Sequence, residues 1–452
     1  MKNTLIRALA ALVTVMLLLT GCNLITVDEE MQAAEDAAAR EKDYATVLVE
    51  FADGTTITKG DVINVYNDNY SYYAYLYSAY YNQIPSDLSD YVKNEVVEAY
   101  IAQEVVKKHA SDYGVEQTEE MTQQATEDTD TEWEQIISNY IDSDAEDQEA
   151  AREEAIATVE ALGYTYDYVM KEHLDSVFVT AVQDAVKAEV TEVTDEQLQA
   201  SYDEKVAADE ETYSADTSAF ETAMKDGTTV YWNPEGYRGV QHILVKPSDE
   251  DLLTKYKEIS TELSTLQSEL MELVSETNTS GTDAEATEAP TEAPEEDVRD
   301  MSAVRDEINA KNEELKAVEA EILADCQDTI DEIQGKLDDG AAFPDLIDEY
   351  TADSDALFYV SDSTTSLITP FKQGAMALEK VGDVSEPVVG EYGVHLIYYA
   401  VEVPAGAVAL DDVREALTEA TLSELQQAHY DELLEQWTEE AGVTTHLDRW
   451  AD

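Results

Sequence analysis

Apolar residues cluster in two short segments that have the composition of buried β-strands. The segments are 241–245 and 393–398, and each holds one histidine among β-branched, leucine and aromatic residues. Between them along the chain lies a block that runs from Pro370-Phe371 to Leu378. The pattern predicts two strands and an intervening Pro-Phe helix.

Helical spacing predominates from residue 59 to about 226, after a predicted β-hairpin. Segments 45–51 and 55–58 have strand composition and flank Asp53-Gly54, a signal for a tight turn. Thr58-Lys59-Gly60-Asp61 is then a capping-box-like helix start. The tyrosines that recur at helical spacing are Tyr66, Tyr70, Tyr73, Tyr77 and Tyr80 or Tyr81. This stripe predicts either a helix packed into the core or an aromatic surface that grips peptides.

Two heptad stripes predict an antiparallel coiled-coil hairpin over residues 255–320. They consist of Tyr256, Ile259, Leu263, Leu266, Leu270 and Leu273, and of Met301, Val304, Ile308, Leu315, Val318 and Ile322. Lys311 interrupts the second stripe. The acidic segment 276–297 joins the stripes and carries Ala-Pro-Thr-Glu-Ala-Pro repeats, so we expect a disordered tip. The arm is interpreted either as a spacer or as a contact for partners or clients.

The N-terminus has the features of a lipoprotein signal peptide. Lys2 and Arg7 precede an apolar run, which ends in Leu19-Thr20-Gly21-Cys22. The last four residues match a bacterial lipobox. Cleavage after residue 21 would leave Cys22 lipidated, followed by a polar tether over 22–43, on the extracytoplasmic face of the cell membrane. The alternative is an ordinary secretory peptide with an incidental cysteine.

Composition limits the partners and the covalent chemistry. The 452 residues carry a formal net charge of −75, and such a surface repels nucleic acid and anionic membranes. Nucleic-acid partners are therefore excluded. The chain has two cysteines, so a lipidated Cys22 leaves Cys326 without a partner for an internal disulfide.

The two histidine strands and the block between them resemble the parvulin family of peptidyl-prolyl cis/trans isomerases over residues 237–403. The resemblance implies that His242 and His395 lie side by side at the centre of a small antiparallel sheet and share a hydrogen bond. It also implies that Asp353, after the helical segment 343–350, is the third polar member. The alternative interpretations are satisfied core histidines and a solvated acid.

The same resemblance implies an apolar pocket for a proline ring. By alignment, Phe371 and Leu367 form its walls, and Phe358 or Tyr359 closes its rim. Each of these side chains is equally compatible with ordinary core packing. Isomerisation of an amide needs a dry pocket, and we expect neither a cofactor nor a metal.

The chain departs from the family pattern at two places. The segment Ser354–Val360 has no glycine where the family has a glycine-rich turn. Gly390 stands where the family commonly has a threonine, five residues before His395. Both departures alter the wall of the cleft.

The strand-turn-helix entry and the helices after it resemble the chaperone region of SurA-like and PrsA-like foldases. The resemblance implies an α+β protein in which the parvulin-like domain is inserted into a helical chaperone domain, made of 44–232 and a C-terminal helical segment, 410–452. Such a protein would bind unfolded secreted proteins and isomerise X-Pro bonds. The first alternative is a holdase whose domain only binds peptide. A solute-binding lipoprotein is disfavoured, because repeated βαβ units are lacking.

Overall fold

The computed structural model describes residues 39–142, 145–279, 300–353 and 357–450, with side chains through residue 275 in the second range. The predicted signal peptide, Cys22, most of the tether and most of the acidic tip lie outside these residues. The chain divides into two compact units. Unit 1 contains residues up to Val193 together with Glu419–Asp452, and unit 2 contains Thr194–Thr418.

Unit 1 is mostly helical and includes a small antiparallel sheet of order β2-β1-β9. Its elements are β1 (Val47–Glu50), β2 (Thr56–Thr58), α1 (Lys59–Tyr81), α2 (Leu88–His109), α3 (Glu119–Ser138), α4 (Gln148–Ala161), α5 (Tyr166–Lys187), most of α12 (Leu410–Glu440) and β9 (Thr444–Thr445). The Asp61 carboxylate accepts hydrogen bonds from the Thr58 backbone N–H and hydroxyl at 2.8 and 2.7 Å, which fixes the start of α1.

The main core of unit 1 joins the two ends of the chain. Leu48 and Val49 of β1 and Val96 of α2 belong to one buried cluster with Trp437 and Trp450. The tyrosine stripe of α1 divides between the two interpretations. Its first members pack partly buried against this cluster and its last ones are exposed; the packed ones are Tyr66, Tyr70, Tyr73 and Tyr77, and the exposed ones are Tyr80 and Tyr81.

Unit 2 contains a four-stranded antiparallel sheet of order β5-β4-β7-β6, and helices cover both of its faces. Its elements are α6 (Asp195–Ala215), α7 (Thr217–Lys225), β3 (Trp232–Asn233), β4 (Arg238–Val245), α8 (Asp251–Thr279), α9 (Met301–Asp338), α10 (Phe343–Tyr350), β5 (Phe358–Val360), α11 (Thr369–Met376), β6 (Val388–Gly390), β7 (Gly393–Glu402) and β8 (Gly406–Ala407). The helices and antiparallel sheets of the two units make the protein α+β.

Alternating residues of β4 and β7 point to opposite faces of the sheet. Ile243 and Leu396 pack on the face covered by α8, α9 and α10. Val240 and Ile397 pack on the face covered by α11. A β-carbon added at Gly374 of α11 would lie 2.9 Å from the Ile397 side chain, so the absence of a side chain there allows α11 to approach the sheet closely.

Helices α8 and α9 pack against each other in an antiparallel arrangement. The Lys311 ammonium lies 2.6 Å from the Glu262 carboxylate and that of Lys255 lies 3.9 Å from Glu321, so residue numbers rise along one helix as they fall along the other. Lys311, which interrupts the apolar stripe, thus has a charged partner on the facing helix. A polar pair at such a position favours one register.

Three features differ from the sequence prediction. Segment 194–232 belongs to unit 2, although the sequence assigned it to the chaperone domain, because α7 packs on β5. Helix α9 continues to Asp338, well beyond residue 320, where the predicted hairpin ends. The base of the predicted hairpin is part of the core, since Tyr256 and Val318 share a buried cluster with Ile243. Among the described residues, no helix is long and apolar enough to cross a membrane.

Candidate functional site

Two buried histidines face each other on the side of the sheet that α11 covers. In the register of β4 and β7, His242 pairs with Ile397 and Leu244 pairs with His395, which places the two histidines diagonally on one face. Their Nδ1 atoms are 2.9 Å apart, and their rings are nearly parallel with centroids 5.1 Å apart. His242 is 2 % exposed and His395 is 3 % exposed, so both rings are almost completely shielded from water.

Asp353 reaches this pair because the chain after α10 is hydrogen-bonded to Leu244 of β4, beyond the residues of β4 that pair with β5. The Leu244 backbone N–H donates to the Thr351 hydroxyl at 3.1 Å, and the Ala352 N–H donates to the Leu244 carbonyl at 2.9 Å. The Asp353 carboxylate then lies 3.3 Å from Nε2 of His242, an ion-pair distance rather than a well-aligned hydrogen bond. Asp353 is about half exposed, so the three groups extend from the core to solvent.

The arrangement favours one order of protons along the three groups. A carboxylate only accepts hydrogen bonds, so Asp353 favours a proton on Nε2 of His242. A neutral His242 then has a bare Nδ1, which accepts from the Nδ1–H of His395. His395 is left with an unprotonated Nε2, and this buried atom has no hydrogen-bond partner among the described residues.

Burial keeps both rings neutral. It lowers the pKa of His395 to about 4, and the neighbouring His242 adds to the effect. Burial also lowers the pKa of His242, although the Asp353 charge opposes this shift. At neutral pH the site therefore offers hydrogen-bonding imidazoles without a net positive charge.

Aromatic rings stand perpendicular to the histidine pair. Phe371 of α11 contacts both rings, with centroids 5.2 Å from His242 and 5.3 Å from His395. Phe358 of β5 lies 5.4 Å from His242 and 5.8 Å from Phe371. Leu367 is partly buried beside the same cluster. Phe358, Leu367 and Phe371 thus surround one apolar site next to the histidines.

Of the two alternatives predicted for the rim, Phe358 and Tyr359, the second does not face the histidine pair. Successive residues of a strand point to opposite faces. Phe358 faces the histidine pair, so Tyr359 faces the other side, where its ring lies 6.1 Å from Phe220 in a cluster that includes Tyr237. The sequence alone does not reveal which of two adjacent residues at the start of a short strand faces the site.

Ile368 occupies the space beside Gly390, a role that was not predicted from the sequence. A β-carbon at Gly390 would lie 3.4 Å from Nε2 of His395 but 2.5 Å from the terminal methyl of Ile368. The methyl therefore lies where a larger side chain at position 390 would lie. A methyl group donates no hydrogen bond, and Nε2 of His395 has no partner among the residues that the structure describes.

Arg238 anchors the end of α11, which was also not anticipated. One guanidinium nitrogen donates to the carbonyls of Met376 at 3.2 Å and Ala375 at 3.3 Å, and it also contacts that of Leu378. A cation at a helix C-terminus satisfies free carbonyls and interacts favourably with the helix dipole. Arg238 thus helps to hold the helix that carries Phe371.

Comparison with known proteins finds sequence relatives named as foldases. The chain is 25 % identical over 213 residues to "Foldase protein PrsA" of Oceanobacillus iheyensis, covering 46 % of this chain and 66 % of that protein. It is 32 % identical over 111 residues to "Foldase protein PrsA 2" of Listeria innocua, covering 23 % and 36 %. Less than two thirds of each relative is therefore spanned. No family model matches the chain.

Solved structures of the same name align over most of the chain, but only loosely. PrsA from Bacillus subtilis covers 88 % of this chain and 93 % of its own, at 14 % identity and a TM-score of 0.21. PrsA from Bacillus anthracis covers 77 % and 99 %, at 14 % identity and a TM-score of 0.18. TM-scores this low do not establish a shared fold, so only the sequence relatives indicate the class of this protein.

The chain is similar to the parvulin-type foldases. Within this class its sequence relatives are PrsA proteins, and the expected resemblance to PrsA-like foldases is confirmed.

Proposed function

We propose that this protein is an extracytoplasmic foldase that binds unfolded secreted proteins and catalyses cis/trans isomerisation of their X-Pro bonds. In this proposal, unit 2 contains a parvulin-like domain with a coiled-coil arm, and unit 1 is the helical chaperone domain. The observation that carries it is the neutral histidine pair beside Phe358 and Phe371. The foldase relatives support the same class.

The geometry suits an amide that must twist. Rotation about a peptide bond has a barrier of about 18–20 kcal/mol because resonance is lost, and X-Pro isomerisation takes tens to hundreds of seconds. Lowering the barrier by about 4–7 kcal/mol would accelerate it roughly 10³–10⁵-fold. Phe371, Phe358 and Leu367 would hold the proline ring in a dry pocket. His242, His395 and Asp353 would supply polarity near the carbonyl and favour the twisted amide over the planar one.

A refolding assay tests the activity. The soluble chain, lacking residues 1–22, is expected to accelerate a proline-limited refolding phase, and His242→Ala or His395→Ala should reduce the acceleration at least several-fold. Each substitution removes a ring that borders the pocket and leaves its partner without a hydrogen bond. His429→Ala is the matched control, because this histidine pairs with Glu189 in unit 1. A wild-type chain that leaves the slow phase unchanged would contradict the isomerase proposal.

The second candidate is a holdase whose domain binds peptide without catalysis. The observation that favours it is Gly390, with Ile368 in the space beside it, next to a His395 ring whose Nε2 has no hydrogen-bond partner in the described part of the chain. The two candidates separate in one experiment. A holdase suppresses aggregation of an unfolded client and leaves the proline-limited phase at its uncatalysed rate.

A further inference from the structure

Glu221 lies outside the segment that resembles a parvulin, yet its carboxylate contacts the loop that leads to the candidate pocket. It projects from α7 towards loop 361–366. Its Oε1 accepts hydrogen bonds from the Thr364 hydroxyl at 2.6 Å and the Tyr237 hydroxyl at 2.9 Å, and its Oε2 accepts one from the Ser366 hydroxyl at 2.9 Å. Three hydroxyls therefore converge on one carboxylate, and hydrogen bonds to a charged acceptor are the stronger kind.

Helix α11 also holds the loop. The Lys372 ammonium donates to the Thr364 carbonyl at 2.9 Å and to the Asp362 carbonyl at 3.2 Å. Inside the loop, the Ser361 backbone N–H donates to the Thr364 hydroxyl oxygen at 3.0 Å. Thr364 is almost fully buried, so loss of Glu221 would leave its hydroxyl proton without this acceptor at a costly position.

The loop continues directly into the pocket wall. Leu367 and Ile368 come next in the chain, and α11 then presents Phe371 to both histidine rings. We propose that Glu221 is a positioning residue: it fixes loop 361–366 and thereby the walls of the candidate prolyl pocket. The effect on catalysis rests on the proposed isomerase function. In this proposal α7 is part of the isomerase unit, although it precedes the histidine strand β4 and does not touch the substrate.

Paired substitutions in the soluble chain test the proposal. Glu221→Leu should lower kcat/KM for a proline tetrapeptide by about 10- to 100-fold, the range expected when a misplaced wall shifts the substrate. Glu221→Gln should restore most of this loss, because its carbonyl still accepts from Thr364 and Tyr237 while its amide faces the Ser366 oxygen. Asp226→Leu removes a charge from the exposed C-terminal end of the same helix and should leave kcat/KM unchanged.

Hydrogen exchange gives a readout that does not depend on catalysis. Backbone amides of 361–368 should exchange faster in Glu221→Leu than in the wild type or in Glu221→Gln. An inactive wild type would defeat the isomerase proposal, and the exchange rates would still decide whether Glu221 positions the loop. The positioning role would be overturned if amides 361–368 exchanged in Glu221→Leu at the wild-type rate. It would also be overturned if the Leu and Gln substitutions raised the exchange rates equally. If Glu221→Leu does not fold, Ser366→Ala replaces it, and unchanged exchange would then overturn the proposal.

Discussion

A histidine buried in an apolar site is protonated only at a cost, and His395 is the clearest case in this protein. Its pKa lies at about 4 in the folded chain, against an ordinary value of 6.5. Between these values the unfolded chain binds more protons than the folded one. The stability linked to His395 is therefore complete above pH 6.5 and is lost as the pH falls towards 4. His242 shifts in the same direction.

The sheet that holds the histidine pair should therefore be sensitive to acid. The protection factors of the β4 and β7 amides should fall as the pH drops from about 6.5 to 4.5, and His395→Asn should weaken that fall, since an amide side chain does not titrate. Nitrogen-labelled histidine NMR checks the cause directly. We expect the His395 ring to titrate near pH 4, and a midpoint near 6.5 would contradict the neutral pair.

Sequence reasoning identified residues of this site but not their surroundings. His242 and His395 were recognisable because each stands alone in an apolar strand and a family pattern links them. Ile368 was not anticipated, and Phe358 and Tyr359 stayed alternatives for the rim. Their roles depend on which face each side chain takes and on space left by Gly390. Such information is three-dimensional, and no periodicity in a three-residue strand supplies it.

At the scale of elements, apolar spacing predicted the long helices and missed where they join the core. The heptad stripes appear as α8 and α9, but Tyr256, Ile259 and Val318 pack in the same cluster as the sheet residues Ile243 and Leu396. A heptad pattern records that a residue is buried and not which element buries it. The hairpin base is consequently shared with the sheet, and only the distal part can be separate.

Two excisions from the hairpin of α8 and α9 should differ in their effect on the stability of unit 2. Removing 267–306 and joining the helices with a short loop should leave tetrapeptide isomerisation intact, because the buried cluster under the sheet retains its members. Removing 255–320 should destabilise unit 2 by several kcal/mol, since each large apolar side chain lost from a core costs about 2–5 kcal/mol. Thermal unfolding and tetrapeptide activity measure both. Equal stability of the two variants would contradict a shared core.

For the whole molecule, the lipid anchor predicted from the sequence depends on Cys22. Cys22→Ser should abolish lipid labelling, because a serine hydroxyl offers no thiol to acylate. Cys326→Ser is the matched control: this second cysteine is buried beside the Val245 carbonyl, so its substitution should leave labelling intact. Fatty-acid labelling measures the outcome. A Cys22→Ser chain that is still labelled with fatty acid, or a wild-type chain that is not labelled, would contradict the lipid anchor.

The core of unit 1 joins segments that are far apart in the chain, and this dictates an order of assembly. β1 pairs with β9, and Trp437 and Trp450 fill the cluster around Leu48. A chain that emerges N-terminus first exposes the first helices while those tryptophans are still absent. Unit 2, which is continuous in sequence, has all of its residues earlier. Unit 2 would therefore mature before unit 1, and every newly made molecule would pass through a stage in which the apolar surface of unit 1 awaits its last residues.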